Sequence, residues 1–406
     1  MLRSRPVRAA LLAIAAAALS FLAARQAILL STRSHAPHFA LQLNPHDPVA
    51  LTKAYYQSMV GPDGTPQQAT SVWVGAAHAA LRAEPLSSGP LQILLGAMGP
   101  GDERLEHSRQ LIAAASAITR RELPVELWQI EDAVSRQDIH DALVHYDRAL
   151  SVHPDAGAFL YPVLTSAASQ EGIRAELAPL LARNRLWVTG FLGYYAARTE
   201  DYPAAIDLFA RYGGSRRLPS HRAYETVLLR RLVASGNGGL ARTFGHRVAG
   251  FDIGGPDSFG LSPRTTDGTF APLSWQLDDD DTVTADFDPQ DGLAIGIPPT
   301  ERGIGASRVV ILEPGRWILD EVLEWPPATP IADLAWEIRC LTRTSGEIIA
   351  RIAPTPQIGR HRSTDGFVVP PSCAAVQFDL VVQGPVNDGQ AEVTLKSVAL
   401  RRSSNR

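Results

Sequence analysis

The spacing of apolar and polar positions changes near Gly250, and the change divides the chain into two kinds of sequence. Before Gly250, apolar residues recur every three or four positions in runs separated by Gly, Pro or Asp, which is typical of amphipathic helices. After it, short runs alternate apolar and polar residues, as half-buried strands do. The sequence therefore predicts a multidomain protein, α then β, with a helical repeat domain at 35–249 and an antiparallel, jelly-roll-like β-sandwich at 250–406.

Residues 1–34 have the pattern of an export signal. Three arginines precede an uninterrupted run of small apolar residues from Ala9 to Ala24, which is the order of a secretory signal. Counted over residues 9–30, the stretch approaches the roughly 20 residues that span a bilayer, with Arg25 as an interruption. Because the positive charges precede the run, we expect an inner-membrane anchor with the bulk of the chain in the periplasm. A cleaved signal peptide and a buried helix of a cytosolic protein are the alternatives.

The clearest predicted helix covers Asp138 to Leu150, where apolar residues fall on one face. Its small residues, its aromatic residue and the proline that follows match the second helix of a tetratricopeptide repeat, and a second copy recurs downstream. The eight matching positions are Ala142, Tyr146, Ala149, Pro154, Leu192, Gly193, Ala205 and Phe209. The two copies are not spaced by whole repeats, so the pattern is degenerate. It predicts a solenoid that binds a protein partner, with an irregular helical domain as the alternative.

Two cysteines lie in the strand-rich part of the chain. Cys340 ends one predicted strand and Cys373 begins another. In an exported domain such a pair is expected to form a disulfide. Two free buried thiols are the alternative, and a zinc site is disfavoured because too few ligands lie in a recognisable spacing.

Several segments together resemble a loosely defined group of alphaproteobacterial envelope proteins. They are the N-terminal apolar helix, the degenerate helical repeats, and the segments 312–315, 334–340 and 367–373 of the sandwich. Some members of that group are associated with exopolysaccharide biosynthesis. The resemblance implies a cell-envelope context and transfers no catalytic residue.

Candidate ligand-binding residues of the sandwich are aromatic or acidic. Four tryptophans could stack on sugar rings, or could simply fill the core: Trp275, Trp317, Trp325 and Trp336. A cluster of aspartates could supply oxygen ligands to calcium, although its spacing is also that of a solvated turn. The calcium candidates are Asp278, Asp280, Asp286 and Asp288.

The densest basic stretch lies in the helical part and is a candidate anion site. Its members are Arg211, Arg216, Arg217, Arg222, Arg230 and Arg231. An acidic glycan, a phospholipid surface or the aspartate-rich segment of the sandwich could be its partner, and a solvated helix face is the alternative.

Other function classes lack support in the sequence. The formal charge of −4 gives no basic surface for nucleic acid. Neither a zinc-protease motif, a phosphate-binding loop nor a nucleophile elbow is present, and no cofactor is expected. We therefore expect a non-catalytic periplasmic scaffold in polysaccharide assembly or export. Its helical repeats would bind envelope proteins and its sandwich would bind polysaccharide or a protein. A carbohydrate-active lyase or hydrolase and a protein-only assembly factor are the alternatives.

Overall fold

A computed structural model describes residues 5–59, 71–97, 102–118, 121–277, 282–327, 331, 333–342, 346–386 and 391–403. The chain divides into two compact units, Met1–Ala156 and Gly157–Arg406. The change from helix to strand near Gly250 falls within the second unit.

The first unit is helical throughout its described residues. Its helices are α1 (Arg5–Thr32), α2 (Pro37–Leu43), α3 (Pro48–Ser58), α4 (Ser71–Ala83), α5 (Gly89–Ala97), α6 (Asp102–Ile118), α7 (Leu123–Ser135) and α8 (Ile139–Val152). Asp47 caps the N-terminus of α3 and Asp138 caps that of α8, since each carboxylate accepts a hydrogen bond from the backbone N–H three residues later.

Helix α1 is long and apolar enough over Leu12–Thr32 to cross a membrane, a test that a signal sequence passes equally. Its C-terminal end packs on the helices that follow. Leu29 is only 5 % exposed and lies in a cluster with Ala40 and Ala50. The Arg25 guanidinium donates to the carbonyl of Leu43. The end of α1 is thus part of the folded unit.

The second unit starts with seven helices in its described residues. They are α9 (Gly157–Ala167), α10 (Glu171–Leu181), α11 (Leu186–Arg198), α12 (Tyr202–Tyr212), α13 (Gly214–Arg217), α14 (Arg222–Ala234) and α15 (Gly238–Ala249).

The residues that match the tetratricopeptide pattern lie at packing positions in both units. Ala142, Tyr146 and Ala149 are buried in α8, and Pro154 begins a short 3-10 turn. In the second unit, Leu192, Ala205 and Phe209 are also buried, while Gly193 is half-buried beside the ring of Tyr224. Assignment of these helices to that repeat family stays a prediction.

The strands form an antiparallel β-sandwich, as predicted. The first sheet has the order β1-β4-β9-β6-β7 and the second has the order β2-β3-β10-β5-β8. The strands are β1 (Gln276–Leu277), β2 (Thr284–Asp288), β3 (Gly292–Ile297), β4 (Arg302–Val310), β5 (Gly315–Trp325), β6 (Asp333–Leu341), β7 (Gly346–Ile352), β8 (Gly359–Val369), β9 (Ala375–Gln383) and β10 (Ala391–Arg402). Strands β4 and β5 belong to different sheets, so the intervening residues 311–314 cross from one sheet to the other.

Cys340 and Cys373 form a disulfide with a Cα–Cα distance of 5.4 Å. Cys340 lies near the end of β6, and Cys373 lies just before β9, the strand that pairs with β6. The expected pairing is confirmed.

One buried arginine attaches the segment before the sandwich to the sandwich core. Arg308 is fully buried and donates to the carbonyls of Ile253 at 2.6 Å and Ser258 at 2.7 Å. Its guanidinium also lies 5.6 Å from the centre of the Trp275 ring. Burial lowers the pKa of Arg308 to about 9.

Candidate functional site

The outer face of the first sheet carries a concentration of polar side chains. Along β6, Trp336 and Ile338 point into the sandwich core. Because side chains alternate along a strand, Glu337 and Arg339 lie on the opposite face. The same alternation in β9 places Gln377 and Asp379 there.

Strand register brings four polar residues of this outer face into one row. Ser307 of β4 pairs with Asp379 of β9, Asp379 pairs with Glu337 of β6, and Glu337 pairs with Arg351 of β7. Neighbouring strands are about 4.8 Å apart, so the row crosses about 14 Å of the sheet.

Asp379 is at the centre of a hydrogen-bond network. The residue is 2 % exposed. One carboxylate oxygen, Oδ1, accepts from Ser307 Oγ at 2.7 Å and from Gln377 Nε2 at 2.8 Å. The other, Oδ2, accepts from Arg339 Nε at 3.2 Å. A buried carboxylate needs such partners, and here they hold Gln377 and Arg339 in fixed orientations.

Glu337 extends the network towards solvent. It is 7 % exposed and accepts from Arg302 at 3.2 Å and from Arg339. The side chain of Arg302 is nevertheless 58 % exposed. The two carboxylates are therefore covered, Arg339 between them is half-buried, and the guanidinium of Arg302 faces the solvent. A fourth ion pair, between Arg351 and Asp333, lies at the end of the row.

Two isoleucines on the same face leave apolar surface beside the network. Ile304 pairs with Val381 in register, and Ile348 pairs with Arg339; both isoleucines are exposed. We call the whole set the polar face, formed by Arg302, Ile304, Ser307, Glu337, Arg339, Ile348, Arg351, Gln377 and Asp379.

The polar face can bind a ligand that is polar at its edges and apolar on its faces. Fixed guanidinium groups donate pairs of hydrogen bonds to carboxylates or adjacent hydroxyls. Among the residues that the structure describes, no group of three or more His, Cys, Asp and Glu could hold a metal ion.

The four predicted stacking tryptophans are core residues, which corrects that interpretation. Trp275, Trp317, Trp325 and Trp336 are each at most 5 % exposed. They belong to the cluster between the two sheets. None of them presents a ring face to a glycan, because burying an indole in the sandwich removes far more apolar surface from water than leaving it on the outer face.

The predicted basic stretch is dispersed by the fold. Four of its members contact other parts of the second unit: Arg211 pairs with Asp207 and Glu171, Arg216 donates to the Val248 carbonyl, Arg222 lies over the Phe270 ring, and Arg231 donates to the Ala196 carbonyl. Arg217 and Arg230 are exposed. The six arginines thus have separate structural surroundings.

The calcium candidates are only partly within the described chain. Asp278 and Asp280 lie outside the described residues. Asp286 and Asp288 are on β2, and Asp288 accepts hydrogen bonds from the backbone N–H groups of Gln290 and Asp291. Asp288 therefore stabilises the turn into β3.

The polar face was missed by sequence reasoning, although part of its signal is visible. In β6 and β9, polar residues occupy alternate positions opposite the core residues: Glu337 and Arg339 in one strand, Gln377 and Asp379 in the other. Charges at period two in these two strands indicate that the strands share a polar outer face, but their register cannot be read from the sequence.

A buried carboxyl group lies inside the sandwich. Glu321 accepts a hydrogen bond from Trp336 Nε1 at 2.7 Å, and its Oε1 has no partner among the described residues. Burial, assisted by the nearby negative charge of Asp365, raises the pKa of Glu321 to about 7.

No family model matches the chain, and no curated protein matches it. Several solved structures do. A CBM4 structure is 14 % identical with a TM-score of 0.24, covering 32 % of this chain and 96 % of its own. TmCBM61 in complex with β-1,4-galactotriose is 13 % identical with a TM-score of 0.24, covering 33 % and 90 %. The N-terminal cellulose-binding domain of Cellulomonas fimi β-1,4-glucanase C is 15 % identical with a TM-score of 0.25, covering 37 % and 99 %. Similarity at this level carries no argument about function, which must be inferred from the side chains.

Proposed function

We propose that this protein is a non-catalytic, membrane-anchored polysaccharide-binding protein of the bacterial cell envelope, with the polar face as its glycan site. The observation that carries the proposal is the network in which buried Asp379 and Glu337 orient the half-buried Arg339 and the exposed Arg302 on the outer face of the first sheet. Such a network is already ordered before a ligand arrives, so binding loses little side-chain entropy.

The chemistry of the polar face favours acidic polysaccharides over neutral ones. Glu337 and Asp379 are covered, whereas Arg302 and Arg351 expose donors that match the geometry of a uronate carboxylate; Asp333, the partner of Arg351, is itself 40 % exposed. Ile304 and Ile348 supply apolar surface for the C–H faces of sugar rings.

Helix α1 would hold the protein at the inner membrane. Leu29 and Arg25 make contacts within the first unit, so removing α1 as a cleaved signal would expose the apolar residues under Leu29. We infer that α1 is retained and that the remaining chain lies in the periplasm. The helices of both units would bind an envelope protein and so recruit it to the polysaccharide.

Calorimetry with two forms of one polymer tests the glycan site. The full-length protein in detergent micelles is titrated with polygalacturonate and with its fully methyl-esterified form, which has the same backbone without the charge. We expect saturable binding of polygalacturonate and at least tenfold weaker binding of the ester. Arg302→Gln and Arg351→Gln should each weaken binding several-fold, whereas Arg360→Gln, at an exposed position of the second sheet, should not.

Equal affinity of wild type and both polar-face variants would refute this location of the site. Absence of binding to any polysaccharide, including that of the source organism, would favour a protein-only assembly factor. New reducing ends or unsaturated sugars after incubation would show that the protein is a hydrolase or lyase.

A further inference from the structure

Helix α2 runs back along α1 instead of leading away from it. Leu29 of α1 packs in one cluster with Ala40 of α2. One turn earlier in α1, the guanidinium of Arg25 donates to the carbonyl of Leu43, at the end of α2. Contacts that move towards the N-terminus of α1 therefore move towards the C-terminus of α2. The two helices are antiparallel, and residues 33–36 form the turn between them.

This antiparallel contact lies at one end of the segment that is long and apolar enough to cross a membrane. A helix rises about 1.5 Å per residue, so a hydrocarbon layer of about 30 Å needs about 20 residues. Counted from Ala9, where the apolar run begins, such a span ends at Ile28. The first charged residue after the run is Arg25. The edge of the hydrocarbon layer thus falls between Arg25 and Ile28, the level at which α2 packs on α1.

Exposed apolar side chains lie around the contact between α1 and α2. Ile28 and Leu30 flank the buried Leu29 and are 46 % and 48 % exposed. Phe39, which precedes the buried Ala40 in α2, is 47 % exposed. A bilayer surrounds a spanning helix on all sides, so exposed side chains at this level face lipid. The membrane itself is therefore the partner that covers this apolar surface.

Phe39 has the neighbours of a residue at the membrane interface. The other exposed side chains of α2 are His38 and Gln42, which are both polar. An aromatic ring between polar side chains suits the boundary between headgroups and acyl chains, where the apolar faces of amphipathic helices are buried. The exposed side of α2 thus matches the interface better than the centre of the bilayer.

The charges of this region fit anionic headgroups. Residues 25–58 are all described, and their basic side chains are Arg25, Arg33 and Lys53. Their one acidic residue, Asp47, is 4 % exposed, and its carboxylate caps α3. Within this range no exposed carboxylate repels lipid phosphates, whereas basic side chains near an anionic membrane are attracted to it.

We propose that α2 is an interfacial helix, with Phe39 at the boundary of headgroups and acyl chains and with anionic phospholipid headgroups beside Arg33 and Lys53. It rests on the proposed function, in which α1 anchors the chain in the inner membrane. Two helices, α1 and α2, then hold the first unit at the membrane surface.

Spin labelling of the full-length protein measures the depth of each position. Phe39→Cys, Leu19→Cys and Val134→Cys are each labelled with a nitroxide in vesicles of equal parts phosphatidylcholine and phosphatidylglycerol. Labelled wild type is the blank, because Cys340 and Cys373 are bonded to each other. Oxygen concentrates among acyl chains and a nickel chelate in water, so the ratio of their relaxation effects reports depth. We expect the ratio at Phe39 to lie below that at Leu19 on α1 and severalfold above that at Val134, an exposed apolar residue of α7.

The direction of α2 gives a second measurement. His38 and Gln42 are one turn apart on the same exposed side of α2. Because α2 runs back along α1, Gln42 lies up to about 6 Å nearer the bilayer centre than His38. Nitroxides at Gln42→Cys and His38→Cys should therefore show the greater depth at Gln42.

The outcomes separate the position of α2 from the anchoring by α1. A Leu19 label in water would show that α1 does not span the membrane and would overturn both. A Leu19 label among acyl chains, together with a Phe39 label in water or at equal depth, would overturn the interfacial position of α2 alone. So would a greater depth at His38 than at Gln42. In phosphatidylcholine alone the ratio at Phe39 should fall, and an unchanged ratio would overturn the part assigned to anionic headgroups.

Discussion

Glu337 and Asp379 are register partners on the adjacent strands β6 and β9, and their carboxylates share the guanidinium of Arg339. Two like charges opposite each other on a sheet repel, so the shared cation is a condition for this pairing. The same contact fixes Arg339 at the centre of the polar face.

Replacing Arg339 by Met should destabilise the sandwich and abolish polysaccharide binding. The substitution leaves two buried carboxylates without their common partner, and because Arg339 is partly exposed we expect a loss of about 2 to 3 kcal/mol. For a domain of this size that lowers the thermal midpoint by about 5 to 10 °C. Differential scanning calorimetry measures the thermal midpoint, with Arg360→Met as the matched control. Equal midpoints of wild type and Arg339→Met would contradict the role of Arg339 in stabilising the sandwich.

Replacing Arg308 by Met should loosen the segment before the sandwich. Several backbone carbonyls, including those of Ile253 and Ser258, would lose their charged donor, and each unsatisfied buried group costs about 1 to 3 kcal/mol. Limited proteolysis should then cleave within residues 250–275 much faster than in wild type. Arg264→Met removes an exposed arginine from the same segment and should have no effect.

The free energy of unfolding should fall as the pH rises from 4.5 to 7, because Glu321 loses its proton in the unfolded state before it does so in the folded state. Burial raises its pKa from the ordinary 4.5 to about 7, so between these values the folded state holds a proton that the unfolded state has released. The contribution is complete below pH 4.5 and lost above pH 7, a change of about 3 kcal/mol. Glu321→Gln can keep the Trp336 hydrogen bond and should make thermal midpoints less dependent on pH between 5 and 7. An identical pH profile of variant and wild type would exclude Glu321 as the titrating group.

Removing the Cys340–Cys373 disulfide should lower stability by about 2 to 4 kcal/mol, because the unfolded chain regains the entropy of a loop closed over 33 residues. The double variant Cys340→Ser and Cys373→Ser should melt at a lower temperature than oxidised wild type. Dithiothreitol should lower the midpoint of wild type and leave that of the variant unchanged. A midpoint of wild type that does not respond to full reduction would show that the bond adds no stability.

Retention of α1 is testable in a bacterial host. If Leu29 remains buried against Ala40 and Ala50, intact mass and N-terminal sequencing should show a chain that still contains α1, in the membrane fraction after alkaline extraction. Deletion of residues 2–24 should release the protein from the membrane. A mature N-terminus after residue 20 or later would show instead that the segment is a cleaved signal.

Local pattern alone determined much of this fold. Helix periodicity identified helical segments such as the one from Asp138 to Leu150, and period-two alternation identified the strand-rich part after Gly250. The pairing of Cys340 with Cys373 followed from their places at predicted strand ends. These features depend on residues close together in the chain.

Only the tertiary structure decided where the candidate sites are. Ser307 and Asp379 are 72 residues apart and meet because β4 and β9 pair in one register. The sequence left glycan stacking open for the tryptophans beside the commoner core position, and packing between the two sheets placed all four in the core. Phe39 likewise came level with the end of α1 only because α2 packs back along that helix. The sequence by itself therefore determined the elements and their order, since periodicity is a local property. Register and burial depend on long-range packing, which the tertiary structure alone decided.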